Sequence, residues 1–111
     1  MIVVLRRTMP LFAYGGKFRV KTERREELVS ALLQTANTMQ SIPDCVQYII
    51  GQSSDDPDEI RVLAVWTSKE AHDQAENHPA VRKFIGEALP MLDGKPSSER
   101  WIVRGGKGIG Q

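Results

Sequence analysis

Glu59-Ile-Arg-Val-Leu-Ala-Val-Trp66-Thr-Ser-Lys-Glu-Ala71 reads as a strand that runs directly into a helix. Alternation puts Ile60, Val62, Ala64 and Trp66 on one face of the strand, and Arg61, Leu63 and Val65 on the other. Thr67 followed three residues later by Glu70 has the form of a capping box, which predicts a helix over residues 68–77. Trp66 therefore stands at the mouth of a sheet. There a large ring with one N–H donor either fills a core or walls a pocket.

Working outward, residues 45–52 form a second apolar strand, joined to residues 59–66 through the polar turn Ser53-Ser-Asp-Asp-Pro-Asp58. By alternation Val46, Tyr48 and Ile50 are expected on one face, with Cys45, Gln47 and Ile49 on the other. Upstream, residues 11–21 read as the first strand, and Gly15-Gly16 within it suggests a bulge or a close backbone approach. Thr22 is the expected N-cap of a helix of about five turns. Glu23, Glu26 and Glu27 lie at its positive end, and Leu28, Leu32, Ala36 and Met39 form its apolar stripe, with Ala31 and Thr35 beside them. Ser41-Ile-Pro43-Asp44 stops it.

Downstream, Pro79 suits the first turn of a further helix through Val81, Phe84, Ile85 and Leu89, ended by Pro90 and Asp93-Gly94. Residues 99–104 read as the fourth strand. The order β-α-β-β-α-β predicts an α+β, ferredoxin-like domain, an antiparallel four-stranded sheet with its helices on one face. Its expected span is residues 11–104, after an N-terminal extension over residues 1–10 and before a flexible tail over residues 105–111. Either Met1 or Met9 is the natural start.

A chain of 111 residues makes one domain. Its apolar content of 41% and net charge of +1 are those of a globular protein with no field that favours nucleic acid or membrane. The single Cys45 forms no internal disulfide, which fits a reducing cytoplasm. No His/Cys/Asp cluster falls at the spacing of a structural zinc site, and no dinucleotide fingerprint, P-loop or Gly-x-Ser-x-Gly elbow is present. Because helices cover only one face of such a sheet, the apolar residues of the second face predict a homodimer packed sheet against sheet. Burying three aliphatic side chains there contributes roughly 5–8 kcal/mol per subunit.

Residues 16–21 leading into the Glu-rich helix, Ile42-Pro-Asp-Cys-Val-Gln-Tyr48, residues 60–71, and Asn77-His-Pro-Ala-Val81 together resemble the antibiotic biosynthesis monooxygenase (ABM) domain of the dimeric α+β barrel superfamily. The likeness covers nearly all of residues 11–104. It implies a pocket between the helices and the concave sheet, lined by Trp66. It also implies one of two activities, cofactor-free oxygenation of quinols or anthrones with O₂, or haem degradation. A haem-degrading member needs an iron-ligating histidine and an asparagine on the first strand. The first strand has neither His nor Asn, and Ala75 stands where many members carry a histidine.

The expected function is therefore a cofactor-independent monooxygenase acting on a small quinol or phenolic aromatic, with O₂ as co-substrate. The alternatives are a non-catalytic, ligand-binding or stress-related barrel, or an isomerase. A cofactor-free oxygenase needs a dry pocket, a donor for the substrate anion and a base. The expected catalytic residues are Trp66 as donor, His72 as base and Tyr48 as a second donor, with Asn37 and Phe84 completing the pocket. His78 suits a turn or cap before Pro79. Arg61 and Arg82 are further candidates for an oxyanion, Arg61 the weaker because alternation turns it from the Trp66 face.

Overall fold

The computed structural model describes residues 10–109, so all of the expected N-terminal extension except Pro10 lies outside the described residues, as do Met1 and Met9. Four strands and three α-helices follow in the order β1 (Phe12–Arg19), α1 (Arg25–Met39), β2 (Cys45–Gln52), β3 (Glu59–Trp66), α2 (Lys69–Ala75), α3 (Pro79–Ala88) and β4 (Ser97–Ile102), with short 3₁₀ turns at Thr22–Arg24 and Leu89–Met91. The sheet is antiparallel throughout, in the order β2-β3-β1-β4. This is the ferredoxin-like arrangement read from the sequence.

Register decides which residues meet. On β1–β3, Phe12 pairs with Trp66, Tyr14 with Ala64, Gly16 with Val62 and Phe18 with Ile60; on β1–β4, Tyr14 pairs with Arg100. The helices cover the face so defined. Leu28 and Leu32 of α1 and Phe84 and Ala88 of α3 pack with Ile60 and Val62. Met39, Phe12, Ala64 and Trp66 form a second cluster nearer α2. The buried stripe of α1 is Leu28, Leu32, Thr35 and Met39.

Local details depart from the expected ones. The bulge lies in β2, between Cys45 and Gln47, not at Gly15-Gly16, where β1 runs in unbroken register. It turns Cys45 inward beside Trp66 and Val46 outward against Leu11, Ala13 and Val65. That reverses the faces expected for these two residues, because one extra residue inverts the alternation. Thr22 caps no helix; its hydroxyl instead donates to Asp58 at the end of the β2–β3 turn. The cap of α2 is Ser68, whose Oγ accepts from the Ala71 N–H at 3.1 Å, while the Thr67 hydroxyl donates to Asp44 Oδ1 at 2.9 Å. β4 begins two residues earlier than read and ends at Ile102.

The second sheet face carries Leu11, Ala13 and Val65, joined by Val46 and Val103. The segment after β4 returns to this face. Gly108 O accepts from Gln47 Nε2 at 2.7 Å, and Ile109 is buried against the cluster. Ile49 and Trp101 stay about half exposed beside it. Among the described residues, no helix is long and apolar enough to cross a membrane.

The reassigned cap has a direct test. Ser68→Ala should cost about 1 kcal/mol in urea unfolding. Glu70→Ala should stay within about 0.5 kcal/mol of the parent, since no capping box is made.

Candidate functional site

The concave face of the sheet and the three helices enclose a cavity of about 310 Å³. Its walls are mostly apolar, with Phe18, Leu32, Met39, Val62, Ala64, Phe84 and Ala88 among them, and its polar groups are few: Tyr14, Thr35, Tyr48, Trp66, His72, Glu76 and Arg100. A concave apolar site with a handful of placed polar groups is the usual form of a small-molecule site.

Gly16 bears on where the Tyr14 ring lies. It lies on the cavity face between Tyr14 and Phe18, and a Cβ there would come 3.3 Å from Tyr14 Cε1. Its lack of a side chain lets the Tyr14 ring lie back along the strand.

His72 is the centre of the polar set. The capped start of α2 turns it inward, where it is 5% exposed among three rings. It stacks on Tyr14 with centroids 4.9 Å apart at 27°, tilts against Phe12 at 5.3 Å and meets Trp66 edge to face at 5.9 Å. Nδ1 lies 3.1 Å from Asp73 Oδ1 and Nε2 lies 3.5 Å from Glu76 Oε1. Hydrogen bonds from Lys69 and then from His72 hold the Asp73 carboxyl below the usual carboxylate range. In the tautomer that carries its proton on Nδ1, His72 donates to Asp73 and Nε2 keeps its lone pair.

His72, Asp73 and Glu76 bring three ligand atoms within 4.8 Å of one another. As arranged, the two carboxylates engage opposite nitrogens of the ring.

Tyr48 stands on the neighbouring wall. Burial pushes its phenol up to about 12, Cys45 and Tyr14 add to this, and no hydrogen bond offsets it. Burial likewise raises the Cys45 thiol to about 11, which rules it out as a ready nucleophile. Trp66 is 2% exposed, and its Nε1–H is shut from solvent with no partner among the described residues. An unpaired buried donor costs about 1–3 kcal/mol and stands ready to donate to a ligand oxygen.

The antibiotic biosynthesis monooxygenase family matches residues 12–87. The chain belongs to that family. A structure carrying the same family name from Chloroflexus aurantiacus J-10-fl is 30% identical, with a TM-score of 0.78 over 90% of this chain and 99% of that one. Another from Nitrosomonas europaea superposes with a TM-score of 0.83 at 13% identity, over 90% and 96% of the two chains. A conserved protein from Methanosarcina mazei Go1 gives 0.81 at 17% identity, over 86% and 94%. These last two share the fold. No curated protein matches.

In this ABM domain Trp66, Tyr48, His72 and Phe84 all line the cavity, whereas Asn37 does not. Asn37 sits on the exposed side of α1, away from the stripe of Leu28, Leu32, Thr35 and Met39 that faces the sheet. Thr35 takes the wall position, its hydroxyl already donated to Ala31 O at 3.1 Å. His78 caps α3, its Nδ1 accepting from the Ala80 N–H at 3.1 Å. Arg61 and Arg82 are exposed and away from the cavity. Sequence reasoning missed Tyr14, Glu76 and Arg100. The signal for Tyr14 and Arg100 was alternation on β1 and β4, and Glu76 falls one turn after His72 on the same face.

Raised Tyr48 and Cys45 values make stability fall at alkaline pH. Each group keeps its proton longer in the folded chain, so its contribution is complete below its ordinary value (10.0 for Tyr48, 9.0 for Cys45) and is lost as pH climbs through about 12 and about 11. Urea unfolding of Tyr48→Phe between pH 10 and 12 should show a slope shallower than the parent's by up to about 1.4 kcal/mol per pH unit. An unchanged slope would place the Tyr48 hydroxyl in water.

Proposed function

We propose that this ABM domain is a cofactor-independent monooxygenase that oxidises a small phenolic aromatic, a quinol or anthrone-like polyketide, with O₂. The observation that carries the reading is the buried His72 on the cavity wall, its Nδ1 directed at an ionised Asp73. A ligand-holding pocket needs no such group. An oxygenase that works through a substrate anion needs a base shielded from water.

In this mechanism the aromatic ring lies between the Phe18–Phe84 side and the Trp66 wall. Nε2 of His72 takes the acidic proton, and the resulting imidazolium is held by Asp73 on one side and Glu76 on the other. The electron-rich anion gives one electron to O₂. The substrate radical and superoxide then combine into a hydroperoxide on the ring carbon. Loss of water leaves a carbonyl where a CH₂ stood, so that R₂CH₂ and O₂ become R₂C=O and H₂O. The Tyr48 hydroxyl stays protonated and can donate to the substrate oxyanion. An oxygen that reaches Trp66 Nε1 gains an unclaimed donor.

The same proposal includes a homodimer. Ile49 and Trp101 are half exposed beside Leu63 on the helix-free face, and neither Gly15 nor Gly51 has an atom within 4 Å of where a Cβ would stand. A second copy packed on this face would remove that apolar surface from water.

Oxygen uptake on a panel of quinols and anthrones, with metal and flavin removed, tests the reaction. Uptake should exceed autoxidation. His72→Ala should slow it by a factor of about 10²–10⁴, and Trp66→Phe by roughly 10², with folding retained. Catalysed uptake unchanged in both variants would put the chemistry elsewhere.

A further inference from the structure

Arg100 is the only lysine or arginine among the described residues lining the cavity, and the reaction above leaves it unused. It sits on the inner face of β4, opposite Tyr14. Its guanidinium carbon lies 5.3 Å from the Tyr14 ring centroid, and Nη1 donates to Ser98 Oγ at 3.3 Å. Nη2 reaches Glu76 Oε1 only at 4.0 Å, the outer limit of an ion pair. A ring and a hydroxyl thus hold the fork in place while its charge is weakly met. Depth separates it from the base. The Arg100 side chain is 48% exposed, that of His72 only 6%. A ligand whose reacting hydroxyl meets His72 would extend outward past Arg100.

We infer that Arg100 makes the cavity rim a carboxylate subsite, so that the substrate is a phenol or quinol bearing a carboxylate at its outer end. This rests on the proposed phenol site and names its substrate class. A guanidinium donates two parallel hydrogen bonds to a carboxylate. The carboxylate would displace Glu76 from its outlying contact with Arg100 at 4.0 Å. A phosphate fits less well. It would bring nearly two charges to a rim with one cation, beside the Glu76 carboxylate.

Calorimetric titration of the full chain with a hydroxynaphthoate and with the corresponding naphthol decides it, since neither probe depends on turnover. The naphthoate should bind about tenfold tighter than the naphthol. Arg100→Met should abolish that preference without changing naphthol affinity, and Arg100→Lys should keep part of it. Equal affinity of the two probes for the parent, tighter naphthol, an equal loss of both in Arg100→Met, or binding of neither would overturn the subsite. Retained discrimination without any oxygen uptake would refute the oxygenase and leave the subsite standing.

Discussion

The antiparallel register that sets Phe12 opposite Trp66 and Tyr14 opposite Arg100 is the constraint on which the site depends. Side chains alternate along a strand, so a slip of one residue would send Tyr14, Trp66 or Arg100 to the far face of the sheet. In this register they converge on one concave surface. The helices then have to close it, and their apolar stripes do so through Leu28, Leu32, Phe84 and Ala88. The cavity is the volume those stripes leave over β3, where Val62 and Ala64 line it.

Polarity inside that volume is concentrated on one short helix. Ser68 caps α2 two residues after Trp66, so His72, one turn on, is brought back over the end of the sheet. Burial among Phe12, Tyr14 and Trp66 dries the imidazole, and Asp73 and Glu76 stand where a charge on it would need partners. Dry surroundings strengthen such hydrogen bonds. The imidazole and the two carboxylates that face its nitrogens thus come from residues within five positions of one another.

Much of this was legible in the sequence. Strict alternation over residues 60–66 and the helical spacing of Leu28, Leu32 and Met39 are strong periodic signals, and both elements appear as read. Trp66 follows from the first of these, and Tyr48 and Phe84 from the same kinds of pattern in β2 and α3. What failed was local chemistry that depends on tertiary partners. Val46 reads as inward until the bulge in β2 inverts it. Thr22 and Thr67 read as caps until Asp58 and Asp44 offer their carboxylates. Asn37 has the right chemistry on the wrong side of α1. Alternation on β4 turns Arg100 inward, but its pairing with Tyr14, 86 positions earlier in the chain, needs the β1–β4 register.

Everything proposed for the reaction turns on which nitrogen of His72 carries the proton in the neutral ring. Nitrogen-15 NMR of the histidine side chains, with the His72→Gln spectrum to assign the signals, reads this directly. A protonated Nδ1 and a bare Nε2 would show a base oriented by Asp73 and open to substrate. A protonated Nε2 committed to Glu76, with Nδ1 bare, would contradict it and make His72 a structural residue of the cavity wall.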